Sequence, residues 1–333
     1  MRYSRQTLFK YIGESGQKEI EQKTVVIVGV GALGTVSSEM LARAGVKKLI
    51  LIDRDYVEVT NLQRQSLFME KDAVNQVPKV VAAKKVLQAI RHDLEIETYV
   101  EHCDAQLLLS LAVDADLILD GTDNFETRLL INDAAYRTQT PWIYAACVEA
   151  TYVSCAFVPE QDTPCFRCMI PVLPSTTLTC DTAGIIAPAV HMAVSEQVTA
   201  ALKILSGAGI DKSVLRTGDL WASEHMTIGT EALLNASCPT CSEAAEYPEL
   251  AKETQGQMSL CGRDTVQIID DRLSQSVVMD ALTERNIKFK ETPYFIEFHY
   301  DDYRLVVFHN GRLLVHGLSK VNKAQTVINQ LFG

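Results

Sequence analysis

Residues 24–53, TVVIVGVGALGTVSSEMLARAGVKKLILID, decide the fold. The run Thr24 to Val28 is short, apolar and β-branched, the composition of a buried strand. Gly29, Gly31 and Gly34 follow at once as a Gly-x-Gly-x-x-Gly turn. Leu33 to Ala44 then has helical character, and Gly45 is placed to stop it. Lys48 to Ile52 reads as the next buried strand, with Asp53 at its end. Strand, glycine turn, helix and strand in this order open a Rossmann-like, doubly wound, mainly parallel α/β sheet.

The alternation continues outward from this unit. Helices are expected over Lys79–Ile90, Asp104–Leu111 and Asn124–Arg137, and strands over Glu95–Val100, Ala115–Leu119 and Trp142–Ala146. A strand near Tyr152–Val158, a long packed helix over Ile185–Ser206 and strands near Val214–Gly218 and Met226–Gly229 complete a domain of residues 1–245. Residues 246–259 are polar and acidic and read as a linker. Beyond it, apolar–polar alternation and two helical stretches predict a small α+β domain over 260–333.

The chain has 333 residues, 31 basic and 42 acidic side chains, a net charge of −11 and 47% hydrophobic residues. That composition is globular, and the acidic balance argues against a nucleic-acid partner, which needs a basic footprint. No run of about 18 uninterrupted apolar residues suggests a membrane span. The N-terminus has no apolar signal core, so the cytoplasm is the expected location.

Glycines let backbone N–H groups approach a phosphate, and a helix N-terminus adds a favourable dipole. Asp53 lies 19 residues beyond Gly34, where it can hold a ribose hydroxyl. The turn alone does not separate ATP from NAD, so an NAD-dependent oxidoreductase is one alternative and a non-catalytic scaffold another. The surrounding cations favour ATP. Arg64, in Asn61-Leu62-Gln63-Arg64-Gln65, and Lys79, after Pro78, can pair with a triphosphate and with charge developing at its α-phosphate. Asp123 ends the fourth strand, where it is either a magnesium ligand or a helix N-cap; Asn124 can fill the cap instead.

Nine cysteines include two Cys-x-x-Cys pairs, Cys165/Cys168 and Cys238/Cys241, separated by 69 residues. Four thiolates on two knuckles suit structural, tetrahedral zinc; an iron–sulfur cluster or redox pairs are the other readings. Cys180 precedes the long helix, where a thiol is either nucleophilic through a lowered pKa or an inert loop cysteine.

The ordered set RYSRQ, Gly-x-Gly-x-x-Gly, Asp53-x-Asp55, NLQRQ, Pro-Lys, Thr-Asp-Asn, two Cys-x-x-Cys pairs and Cys-Asp-Thr-Ala-Gly resembles the ThiF/MoeB/HesA branch of the ubiquitin-activating-enzyme superfamily over about residues 1–245. The resemblance implies ATP-dependent adenylation of the C-terminal carboxylate of a small ubiquitin-like sulfur-carrier protein ending in Gly-Gly, in thiamin, molybdopterin or another sulfur pathway. It implies adenosine contacts from Gly31, Ala32 and Asp53, phosphate contacts from Asn61, Arg64 and Lys79, and magnesium at Asp123. It also implies a homodimer in which Arg5 reaches the other subunit's ATP, zinc at the four paired cysteines, and Cys180 on a loop over the carrier tail, where covalent sulfur chemistry is proposed. A cysteine desulfurase or rhodanese is the sulfur donor such a scheme calls for. Two departures stand out. Ala32 replaces the family's usual third glycine, and the segment after Leu260 is too short for a rhodanese domain and has no assigned role.

Overall fold

The computed structural model describes residues 2–159, 163–171, 180–210, 214–252, 257–259, 265–270, 272–309, 311–318 and 320–333. The chain divides into two compact units, Met1–Lys252 and Glu253–Gly333.

In the first unit, two short helices, α1 (Ser4–Thr7) and α2 (Gly13–Ile20), precede strand β1 (Thr24–Val28). Neither helix was expected, because seven polar or glycine positions in Gly13–Ile20 leave little apolar periodicity to read. Helix α3 (Ala32–Ala44) follows the glycine turn and ends, as expected, at Gly45 in the left-handed region with φ +107°. Next come β2 (Lys48–Ile52), α4 (Glu70–Val74), α5 (Lys79–Ile90), β3 (Glu95–Tyr99), α6 (Ala105–Ala112), β4 (Leu117–Asp120) and α7 (Phe125–Thr138). Strands β5 (Trp142–Val148) and β6 (Thr151–Phe157), short helices α8 (Phe166–Met169) and α9 (Cys180–Ala183), long helix α10 (Ala187–Leu205), and hairpin β7 (Val214–Asp219) and β8 (Glu224–Gly229) complete the unit.

These eight strands form one sheet in the order β3-β2-β1-β4-β5-β6-β7-β8. Pairing is parallel from β3 through β5 and antiparallel from β5 to β8. The chain steps from β1 outward to β2 and β3, then returns to the other side of β1 as β4. Strand order therefore reverses at β1, and the crevice beyond the carboxyl ends of β1 and β4 is where such sheets receive ligands.

Alternate residues of β1 enter two different cores. Val25 and Ile27 join Leu49, Leu51 and the inner faces of α3, α5 and α10. Val26 and Val28 join Ile50, Ile52 and residues of α6 and α7. Burial on both faces explains why these strands read as unbroken apolar runs, and each such side chain contributes about 1.5–3 kcal/mol.

The second unit is a six-stranded antiparallel sheet in the order β11-β12-β13-β14-β10-β9. In chain order its elements are β9 (Gln257–Ser259), β10 (Thr265–Ile269), α11 (Gln275–Glu284), β11 (Phe289–Glu291), β12 (Phe295–Tyr300), β13 (Tyr303–Phe308), β14 (Arg312–His316) and α12 (Val321–Phe332). Val278 and Leu282 of α11 and Ile328 and Leu331 of α12 share a core with Phe298, Leu305 and Val315 of the strands.

The stretch expected as a linker, 246–259, is not uniformly one. Glu249 is buried in the first unit, where its N–H donates to Asp133 Oδ2 at 2.8 Å, and Tyr247 and Leu250 pack on that unit's core. At the other end β9 pairs with β10. The acidic composition that suggested a linker belongs in part to a buried hydrogen-bond network.

Candidate active site

The glycine turn is built by backbone packed on backbone. Gly29 has φ +87° and donates its N–H to Ile52 O at 2.8 Å, while Gly121 donates to Val28 O at 2.8 Å. A Cβ on Gly29 would stand 2.7 Å from Gly121 O, and one on Gly34 would stand 2.0 Å from Gly29 O. Both positions therefore exclude any side chain, and they bring the starts of α3 and the β4 loop together. Gly31 differs: a Cβ there would meet only Gln65 Nε2, at 3.8 Å. Gly31 is the N-cap of the 13-residue α3, no side chain caps that end, and Ala32 is the first helical residue. Unpaired N–H groups and the helix dipole make this end suited to an anion.

Asp53, at the end of β2, holds the turn from the side. Its Oδ2 accepts from Val30 N–H at 2.7 Å and its Oδ1 from Asp55 N–H at 2.8 Å. Burial pushes its carboxyl above the ordinary 3.8, against the pull of Lys79. Lys79 opens α5 and is 5% exposed. Its N–H donates to Asp55 O at 2.9 Å and its Nζ lies 3.4 Å from Asp55 Oδ2. Asp53, Asp55 and Lys79 thus form one charged cluster beside the glycine turn.

Asn61 is buried and closes the 3-10 turn Val59–Asn61, its Oδ1 accepting from Glu58 N–H at 3.0 Å. Its Oδ1 is engaged in that turn, a role the sequence alone did not show. Arg64 is half-buried, with Nη1 donating to Thr60 O at 3.0 Å.

At the end of β4 two acids separate into two roles. Asp120 is buried, accepts from Thr122 N–H and Arg128 Nε at 2.8 and 2.9 Å, and fixes the turn. Burial raises its carboxyl even against the Arg128 guanidinium. Asn124 caps α7, its Oδ1 accepting from Thr127 N–H at 2.8 Å. Asp123 is left exposed, and its hydrogen bond among the described residues comes from Asn124 Nδ2 at 3.3 Å.

Arg5 is exposed on α1, with no side-chain hydrogen bond or ion pair to these groups among the described residues. Its neighbour Gln6 anchors the segment by donating to Ala44 O at 2.9 Å. Cys180 begins α9, just ahead of α10, and its side chain lies outside the described residues.

Away from this crevice, Cys165, Cys168, Cys238 and Cys241 converge, with all four sulfurs within 4.8 Å of one another. The separations Cys165–Cys168, Cys165–Cys238 and Cys168–Cys241 are 3.9, 3.6 and 3.4 Å. A tetrahedral zinc with bonds of about 2.3 Å has sulfur–sulfur edges of roughly 3.8 Å, so the donor set fits that metal. Helix α7 braces both knuckles. Asn132 accepts from Phe166 N–H at 3.0 Å and points Nδ2 at Cys165 Sγ, 3.6 Å away. Asp133 accepts from Thr240 Oγ1, Glu249 N–H and Arg167 Nη2. Neither residue was singled out from sequence, because contacts spanning 33 or 34 residues for Asn132 and up to 116 for Asp133 leave no local spacing to read.

Fold, glycine turn and buried charges define a nucleotide-binding α/β protein with a four-cysteine centre. A family model described as the ThiF family matches residues 3–240, and the chain belongs to that family. It is 41% identical to the sulfur carrier protein ThiS adenylyltransferase of Bacillus subtilis, over 100% of this chain and 99% of that one. It is 32% identical to the molybdopterin-synthase adenylyltransferase of Escherichia coli, over 73% of this chain and 96% of that one. Among solved structures, E. coli MccB with ATP aligns at a TM-score of 0.62 and 24% identity, over 72% of this chain and 74% of that one, a likeness of fold. No helix of the described residues is long and apolar enough to cross a membrane.

Proposed function

We propose that the protein transfers the AMP moiety of ATP to the C-terminal carboxylate of a small ubiquitin-like sulfur-carrier protein. The observation that carries this is the full-length similarity to a ThiS adenylyltransferase, joined to a crevice whose buried lysine and uncapped helix end suit phosphates. A carboxylate oxygen attacks the α-phosphorus, the bond from that phosphorus to the β-bridging oxygen breaks, and pyrophosphate leaves. A terminal carboxyl has a pKa near 3.5, so the nucleophile is already an anion at pH 7 and needs no general base. Alignment and charge stabilisation then supply the rate.

In this reading Gly29 and Gly34 shape the turn, Gly31 and Ala32 lie against the nucleotide, and Asp53 and Asp55 hold the turn and Lys79. Lys79 and Arg64 face the phosphates, with Asn61 fixing the turn that carries Arg64. Asp123, exposed and relieved of capping by Asn124, would hold magnesium, which neutralises charge on the departing pyrophosphate when bound. The four paired cysteines would hold zinc as a structural clip. Arg5, exposed and anchored beside Gln6, is assigned to the ATP of a second subunit in a homodimer, and Cys180 to the carrier tail. The carrier's Gly-Gly end has no side chain to obstruct a narrow approach, and a cysteine desulfurase or rhodanese would supply sulfur afterwards. The similarity over the whole chain favours a thiamin-type carrier. Four cysteines gathered to hold a metal rather than paired as disulfides suit the reducing cytoplasm.

Exchange of labelled pyrophosphate into ATP, dependent on a Gly-Gly carrier, tests the reading. Its absence with intact protein and magnesium would overturn it.

A further inference from the structure

Tyr136 sits on α7 one turn beyond Asn132, so the two side chains leave the helix on the same face. Asn132 already reaches the cysteine centre, with Nδ2 3.6 Å from Cys165 Sγ. Tyr136 packs in the same core as Cys165, Cys168 and Cys238 and is 4% exposed. Its hydroxyl is buried, with no hydrogen-bond partner among the described residues. A buried tyrosine hydroxyl ordinarily finds a partner, and a polar group left unpaired costs stability. Such an orphan is retained where a bound group completes it. Burial pushes this hydroxyl well above the ordinary 10, and charge on Cys165, Cys241, Cys168 and Cys238 adds to the rise. The group therefore feels all four sulfurs and stays protonated, which makes it a hydrogen-bond donor and not a further metal ligand.

The centre needs donors. Four thiolates around one divalent ion leave two negative charges in excess, and buried charge is costly unless hydrogen bonds meet it. A neutral thiol is a weak acceptor, so the Tyr136 hydroxyl gains a strong one only when metal binding strips the sulfurs of their protons. We propose that Tyr136 is a positioning residue of the four-cysteine centre, its hydroxyl turning to donate to a metal-bound thiolate and so favouring the loaded state. The inference rests on the reading of these cysteines as a zinc site, and adds to it a residue from a helix that supplies none of the ligands.

Tyr136→Phe keeps the ring and removes only the hydroxyl. In the full chain, competition with a chromophoric chelator should show the zinc dissociation constant rising about tenfold or more, the range typical when a partner of a metal ligand is removed. With cobalt in place of zinc, the sulfur-to-metal charge-transfer band should move to longer wavelength, because a thiolate that loses a donor holds its electrons less tightly. Stripped of metal, the variant should melt at or above the wild-type temperature, since an unpaired buried group is gone, and the rise in melting temperature on adding zinc should shrink. Unchanged zinc affinity with an unchanged cobalt band overturns the inference. So does a variant that melts earlier by the same amount with and without metal while the cobalt band stays in place, the mark of a hydroxyl that serves packing alone. A wild type that binds neither zinc nor cobalt would instead overturn the reading of the cysteines as a metal site.

Discussion

Single residues at the mouth of the crevice have separable consequences. Asp123 is exposed and makes few contacts, so Asp123→Ala should leave the melting temperature within about 1–2 °C, as for surface changes generally, while pyrophosphate exchange falls at least about a hundredfold. Exchange kinetics beside a thermal melt check both halves. Asp120→Asn should do the opposite kind of damage. It leaves the buried Arg128 guanidinium without its carboxylate, a loss of about 3–5 kcal/mol in denaturant unfolding. Asp53 adds a pH dependence. Its folded pKa lies above 3.8 because it is buried, so the ionised form is a cost to the fold above that pKa, relieved as pH falls through it. Binding runs the other way, since protonation removes an acceptor from either Val30 or Asp55. ATP affinity should therefore decline on acidification before the ordinary carboxylate range is reached, and Asp53→Asn should flatten that decline in a thermal-shift series. The glycine turn and Asp53 were legible because their signal lies within 30 consecutive residues. The Asp120–Arg128 pair was not, because only the fold shows which charges end up buried together.

At the scale of elements, helix α7 joins two centres. Its N-cap Asn124 borders the crevice, Arg128 grips Asp120 one turn further on, and Asn132 and Asp133 hold the cysteine knuckles. Asn132→Ala would strand the buried Phe166 N–H, costing about 1–3 kcal/mol. At about 2–4 °C per kcal/mol for a domain of this size, a scanning melt resolves it. Metal content measured by elemental mass spectrometry should give one zinc per chain, and removal by a chelator should lower the melting temperature well beyond the Asn132→Ala effect, because structural zinc sites contribute on the order of 10 kcal/mol. The alternation of strands and helices was readable from sequence, since buried parallel strands are continuous apolar runs such as KLILI at 48–52. Helix α2 and the packing of residues 247–250 were not, because mostly polar stretches there are held by tertiary contacts.

At the scale of the whole molecule, the proposed chemistry is assigned to residues of the first unit. Every residue assigned to nucleotide or metal falls between Arg5 and Cys241, within Met1–Lys252, and the second unit has its own core. Truncation after Lys252 should keep magnesium–ATP binding within about threefold, less than the tenfold that 1.4 kcal/mol represents, as read by calorimetry. Pyrophosphate exchange with the full chain, magnesium, ATP and a ubiquitin-like carrier ending in Gly-Gly measures the adenylation step itself. Labelled ATP should appear only when the carrier's terminal glycine is present. Exchange that ignores the carrier, or none with any such carrier, would contradict it.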